Sequence, residues 1–286
     1  MSSFKQIDNA ELQKVCSQVR RDIVRMVHGA KGGHPGGALG CTELFVSLYF
    51  KYMKHNPAQF SMDGIGEDLF FLSNGHICAG LYSTLARVGY FPVKELATHR
   101  KINSRLQGHP TPHEHLEGIR MASGSLGQGL SVATGVAQAK KLNNDDRFVF
   151  VLMGDGELQE GQVWEAAMYA PHHKADNVIA FVDYNGQQID GSVNEVMSLL
   201  NLRAKWEAFG WNVIDCNGND LTSLHTAIEL ALSRKGSGIP SIVLMKTEMG
   251  AGVDYMMGTH KWHGNAPNDI QLDTALAQLE ETLGDY

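Results

Sequence analysis

The sequence predicts an α/β protein built on a parallel sheet with helices on both faces. Phe148-Val149-Phe150-Val151-Leu152-Met153 and Val178-Ile179-Ala180-Phe181-Val182 are continuous apolar runs, the pattern of strands buried on both sides. Between them lies a helical stretch with Trp164, Ala167 and Met168 at apolar spacing, ending near Pro171. Together they form one βαβ unit. Each run ends in a polar turn, Gly154-Asp155-Gly156 after the first and Asp183-Tyr184-Asn185-Gly186 after the second. Such turns lie side by side at the carboxyl ends of adjacent strands, where open α/β sheets bind ligands.

The other elements follow in order. Asp8 or Asn9 caps a helix carrying Leu12, Val15, Val19, Ile23 and Met26 at helical spacing, stopped by the Gly29 to Gly33 cluster. A second helix, from about Thr42 through Tyr52, is apolar almost all round and therefore buried. Another runs from near Gly75 to Gly89. The polar stretch from Thr98 to Glu117, with Pro110 and Pro112, reads as an ordered surface loop. A small-residue helix from about Gly127 to Lys141 packs closely on the sheet through Gly129, Ala133, Gly135 and Ala137. Trp206 to Gly210 closes a helix, Trp211 to Asp215 is a strand, Leu221 to Ser233 is helical, and Ser241 to Met245 is the last core strand. Ile270 to Leu283 reads as an amphipathic helix. No repeat or linker divides the chain, so residues 1–286 are expected to form one domain.

The two turns carry hard ligands. Asp155 offers a carboxylate and Asn185 a neutral carbonyl oxygen, which suit Mg²⁺ or Ca²⁺. Gly154 and Gly156 remove side chains, so backbone N–H groups can approach an anion. The combination reads as a diphosphate clipped to the protein by a metal. Turn preferences alone account equally well for a Gly-Asp-Gly turn and an unrelated Asn-Gly turn.

Composition narrows the partners. The 286 residues carry 19% charged and 43% hydrophobic side chains, ordinary for a globular protein. A net charge of −7 gives no reason to expect nucleic acid or an anionic membrane. Cys16, Cys41, Cys78 and Cys216 are scattered, as in a reduced, cytoplasmic protein. Met1 to Lys5 lacks an apolar signal core, and no run reaches membrane-spanning length. Of the thirteen histidines, His34, His76, His109 and His263 sit in or beside glycine or proline turns, where side chains face a site more often than a core. His172 and His173 read as solvent-facing, and His113-Glu114-His115 as merely polar for want of a third ligand.

Gly-Asp-Gly followed some thirty residues later by Asn resembles the thiamine-diphosphate signature. Lys31-Gly32-Gly33-His34-Pro35-Gly36-Gly37, Leu72-Ser73-Asn74-Gly75-His76, Gln107-Gly108-His109-Pro110, Ser123-Gly124-Ser125-Leu126-Gly127-Gln128-Gly129 and Thr259-His260-Lys261-Trp262-His263-Gly264 resemble transketolase, in that family's order. The resemblance covers about residues 10–267 and only the first of the family's three usual domains. It implies the thiamine-diphosphate-binding fold of the diphosphate (PP) type. It implies that Asp155, Asn185 and the Gln187 main-chain carbonyl hold the metal, and that His76 and His263 donate to the diphosphate. Gly124, Leu126 and Gly127 would wall the thiazolium end. His34 and His109, with His263, would face the sugar and move protons. Glu160 and Glu165 match acids at the contact between paired active sites; helix N-terminal acids are their bland alternative.

Ser125, Tyr184 and Asn265 depart from the family pattern, but none is a metal or phosphate ligand. In this family a glutamate from a second, pyrimidine-binding domain assists the cofactor, and most sugar-phosphate receptors lie there too. The expectation is therefore the N-terminal subunit of a split transketolase, completed by a separate chain in a tetramer of two copies of each. It would move a two-carbon ketol unit from a ketose, as a rule phosphorylated, to an aldose or its phosphate, in carbohydrate metabolism of the pentose-phosphate kind. The amphipathic tail speaks for a separate subunit rather than a fragment of a longer chain. A decarboxylating relative (deoxyxylulose-phosphate synthase or a 2-oxo-acid dehydrogenase component) and a non-catalytic regulatory subunit are the alternatives.

Overall fold

A computed structural model describes residues 7–286, so Met1 to Lys5 lies outside the described residues. In chain order the strands are β1 (Leu69–Leu72), β2 (Val149–Gly154), β3 (Val178–Tyr184), β4 (Gln187–Gln188), β5 (Gly191–Ser192), β6 (Asn212–Asn217) and β7 (Ser241–Lys246). Five of them form a parallel sheet in the order β1-β2-β3-β7-β6, while β4 and β5 make a small antiparallel hairpin. The helices are α1 (Asn9–Ala30), α2 (Pro35–Gly40), α3 (Thr42–Ser47), α4 (Cys78–Val88), α5 (Gly129–Leu142), α6 (Gly161–His172), α7 (Val193–Met197), α8 (Leu202–Ala208), α9 (Leu221–Ser233) and α10 (Asp269–Gln278).

Alternation along the strands divides the core in two. Phe70, Leu72, Phe150, Leu152, Ile179, Phe181, Val243 and Met245 pack beneath α1 to α4 and α9. Leu69, Phe71, Val149, Val151, Met153, Ala180, Val182, Ile242 and Leu244 face α5, α6 and α8. Both faces are dry, which is why the strand sequences read as unbroken apolar runs. Phe181 is fully buried, its ring 6.3 Å from that of Phe150. Phe181→Ala is expected to cost about 3–5 kcal/mol of stability, the range for deleting a buried aromatic, measurable by denaturant titration.

Local chemistry explains the boundaries. Asp8 caps α1 in a capping box, accepting from the Glu11 N–H at 2.8 Å. The helix runs through Gly29 and stops at Lys31, which adopts a left-handed conformation with φ 49°. The second expected helix is α3 followed by a π-helical turn over Leu48–Tyr52, and its buried Glu43 pairs with Arg20 at 2.7 Å. Pro171 falls in the last turn of α6, where it cannot donate to the Ala167 carbonyl. The Trp211 indole N–H donates to that carbonyl instead, at 2.8 Å.

Several expectations need correction. β1 was not foreseen, because Leu69-Phe70-Phe71-Leu72 is too short a run to stand out. Met168 lies on the outer side of α6 and is 62% exposed. Gly135 also faces outward, and close packing of α5 rests on Gly129, Ala133 and Ala137. The loop from Thr98 to Glu117 is pinned by the buried Leu106 and Leu116. The last helix is shorter than expected, with Ile270 and Leu283 both exposed. Its end docks on α1, where the Arg21 guanidinium donates to the Leu276 and Leu279 carbonyls. Among the described residues no helix is long and apolar enough to cross a membrane.

Candidate active site

The carboxyl ends of β1, β2 and β3 gather the expected residues. The Asp155 carboxylate, 2% exposed, accepts from the Gly156 N–H at 2.7 Å and the Gly186 N–H at 2.6 Å. The Asp155 N–H in turn donates to the Asp183 carbonyl at 3.2 Å, so the tips of β2 and β3 are joined. Asn185 donates from its amide nitrogen to Asp183 at 2.8 Å and accepts from the Gln187 N–H at 2.8 Å. A carboxylate only accepts and a backbone N–H only donates, so the Asn185 amide has one allowed orientation. Gln187 opens the β4–β5 hairpin immediately beyond.

Asp183 was not singled out from the sequence. It is buried, the Thr247 hydroxyl donates to it, and it fixes the Asn185 amide. Its only sequence signal was an acid closing an apolar strand. Glu157 was missed as well. Its buried carboxylate accepts from the Ser73 hydroxyl, from the Gly127 N–H at 2.7 Å and from the Gly154 N–H at 3.0 Å. One side chain thus ties the ends of β1 and β2 to the Ser123–Gln128 loop. Burial, and then the neighbouring Asp183, push the Asp155 carboxyl up to about 7. Asp183 is raised too, by burial. Among the described residues neither group forms an ion pair with a lysine or arginine.

Four imidazoles converge beside these tips. His34 lies 5.1 Å from His76, 6.2 Å from His109 and 5.7 Å from His263 between ring centroids, and His76 is 5.0 Å from His263. They come from the loop before α2, the turn before α4, the loop before Pro110 and the segment before α10. Gly37, one turn after His34, has room for a hydrogen only. A Cβ there would lie 2.8 Å from Ile77 and 3.5 Å from the Asp183 carboxylate, so α2 bridges the histidines and the strand tips. Gly264 lies against His34 and Ile189 of the hairpin turn.

Burial lowers all four histidines from the ordinary imidazole range, His34 to about 4. The nearby Arg100 charge also presses on His34 and His109. The cluster is therefore neutral near pH 7, each ring offering one donor and one acceptor.

The Ser123–Gln128 loop closes one side. A Cβ on Gly124 would sit 3.3 Å from the His109 ring, and Leu126 is half-buried beside it in sequence. Gly127 takes φ +86°, and a Cβ there would meet Glu160 at 2.9 Å, so only glycine suits this position. Glu160 and Glu165 are both exposed. So are His113, His115, His172 and His173, as expected. A cleft of about 970 Å³ lined by Tyr52, Asp68, Asp145, Phe148 and Lys235 opens at the opposite, amino ends of the strands, away from all of these groups.

The arrangement fits a diphosphate held through a cation. Among the described residues the two adjacent buried carboxylates form no ion pair, and buried polar atoms without partners (His34 Nδ1 and both amide atoms of Asn74) border the same place. Among the described residues no group of three His, Cys, Asp or Glu side chains is set to hold a metal. Asp155 and Asn185 supply oxygens of the hard kind that suit Mg²⁺, which takes few protein ligands and fills its other positions with water and ligand oxygens.

Comparison with known proteins identifies the family. The family described as "Transketolase, thiamine diphosphate binding domain" matches residues 12–284. An apulose-4-phosphate transketolase subunit of Actinobacillus succinogenes is 37% identical, over 95% of this chain and 96% of its own length. A 6-deoxy-6-sulfo-D-fructose transketolase subunit of Clostridium sp. is 36% identical, over 98% of both. The transketolase of Campylobacter jejuni superposes with a TM-score of 0.88 at 33% identity, covering 96% of this chain and 43% of that one. The chain thus spans under half of a single-chain transketolase but nearly all of a separate subunit. It belongs to the transketolase family, as a thiamine-diphosphate-binding N-terminal chain of the kind found in split transketolases.

Proposed function

We propose that residues 1–286 form one cofactor-binding domain that holds thiamine diphosphate through Mg²⁺, with Ca²⁺ able to substitute. The same reading makes this chain half of a two-chain ketol transferase. Convergence of four imidazoles beside the Asp155 and Asn185 tips is the observation that carries it. In this reading Asp155, Asn185 and the Gln187 carbonyl hold the cation. Gly154 and Gly156, whose N–H groups are taken up by Glu157 and Asp155, leave room at the β2 tip for the diphosphate, and His76 and His263 donate to it. Gly124, Leu126 and Gly127 let the protein backbone come close to the thiazolium end.

When bound, thiamine diphosphate supplies a nucleophilic ring carbon. The chain's own part is position and protons. His34 and His109 hydrogen-bond the donor's sugar oxygens and pass protons as the carbon–carbon bond breaks and re-forms, with His263 at the same opening. A neutral imidazole can do this in both directions, since it carries a donor and an acceptor. A ketose donor and an aldose acceptor with an anionic tail fit this reading. Arg100, which forms no ion pair among the described residues, lies close enough to act on His34 and His109. The named relatives act on a phosphorylated and on a sulfonated sugar.

A partner chain is expected to bring the pyrimidine-side residues, in a tetramer of two copies of each chain. The outer face of α6, with exposed Glu165, Met168 and Tyr169 next to Glu160, suits that contact. Four free cysteines and a net charge of −7 agree with a reduced cytoplasmic setting and with sugars, rather than nucleic acid or membrane, as ligands. The test is reconstitution. Purified alone, the chain should transfer no ketol units in a coupled assay, and adding the pyrimidine-binding subunit should restore turnover. Full turnover by the chain alone would refute the split.

A further inference from the structure

Asn74 follows β1 and occupies the cap position of the short turn Gly75–Ile77, but its side chain makes no cap hydrogen bond. Asparagine at a helix cap normally uses its side-chain oxygen there. Here the residue is 1% exposed, and neither its amide nitrogen nor its amide oxygen has a partner. Among the described residues it is the one buried side chain that leaves two polar atoms unpaired. Leucine has nearly the same shape without that desolvation cost, so the fold alone does not explain an amide at this position.

The location supplies a reason. A Cβ on Gly154 would sit 3.8 Å from both Cβ and Nδ2 of Asn74, so the amide borders the tip of β2 next to Asp155. His76 lies two residues further on, in the histidine cluster. Ser73, on the other side, is locked to Glu157 and to the Gly129 N–H at 3.0 Å. The backbone on which Asn74 rides is therefore held rigidly against the proposed diphosphate site.

We propose that Asn74 is a further cofactor-binding residue, its NH₂ donating to a diphosphate oxygen and its carbonyl oxygen accepting from water on the bound cation. A hydrated metal diphosphate presents both an acceptor and a donor, matching both unpaired atoms. This inference rests on the cofactor reading above.

Asn74→Leu separates a binding role from a structural one. The variant without ligand should melt at or above the temperature of the unsubstituted chain, because an unpaired buried amide has been removed. Its affinity for thiamine diphosphate with Mg²⁺, read by calorimetry, should fall about tenfold or more, the worth of losing one or two hydrogen bonds to a charged group. Asn74→Asp should bind more weakly still, because it sets a carboxylate against the diphosphate. A melting temperature lowered by several degrees in Asn74→Leu, or unchanged cofactor affinity, overturns the inference. Asp155→Ala run alongside keeps the two readings apart. If it loses the cofactor while Asn74→Leu retains full affinity, the inference alone fails. If the unsubstituted chain takes up no thiamine diphosphate with Mg²⁺, the cofactor reading fails and takes the inference with it.

Discussion

Asp155→Ala will abolish metal-dependent retention of thiamine diphosphate by this chain. The carboxylate is the only anionic ligand in the proposed cation site, and Asn185 and a main-chain carbonyl are neutral. Even outer partners of metal ligands are typically worth 10–100-fold in affinity, so removing the charged ligand should cost more than about 100-fold. Calorimetry with Mg²⁺ and thiamine diphosphate reads this directly. The fold should survive. The Asp155 carboxylate accepts from the Gly156 and Gly186 backbone N–H groups, and its loss relieves repulsion from the buried Asp183. Asp155→Asn, which keeps the shape, should show the same loss of cofactor and a melting temperature no lower than that of the parent. Unchanged retention in both variants would mean that the metal binds elsewhere.

His34→Ala is the counterpart on the turnover side. It should leave cofactor affinity within about threefold, since His34 is assigned to the sugar and not to the diphosphate. In the reconstituted enzyme it should lower kcat by about 10²–10⁴, the usual range for a lost general acid or base. The pH profile adds a signed prediction. A histidine whose pKa is depressed in the folded protein stays neutral as pH falls below 6.5 and charges only near its own value, about 4 for His34. The acid limb of kcat/KM should therefore lie well below pH 6.5, and His34→Ala should remove the part of it that His34 causes. A limb centred near 6.5 would mean that the imidazole is solvated and ordinary.

Much of the fold was legible because both sheet faces are covered. Two dry faces make unbroken apolar strands, and the runs at 148–153 and 178–182 stand out for that reason. β1 escaped notice because four residues in the same pattern carry too little signal. Met168 and Gly135 were placed on the wrong side of their helices by reading apolar or small character as burial, whereas a face that a partner could cover looks the same in sequence. The expected site residues do come together. What pattern could not show was their support. Glu157 and Asp183 act through hydrogen bonds that span 30 and 64 residues of chain, and nothing local in the sequence announces such a contact. Asn74 stood in a recognised motif, but its lack of partners is visible only once the neighbours are in place.

A crystal structure of the chain with thiamine diphosphate and Mg²⁺ tests the account most directly. One cation bound by Asp155 and the Asn185 carbonyl oxygen, with the diphosphate among His76, His263 and Asn74, is the expected result. A cofactor seated elsewhere, or a cation that leaves Asp155 and Asn185 untouched under saturating ligand, would contradict it.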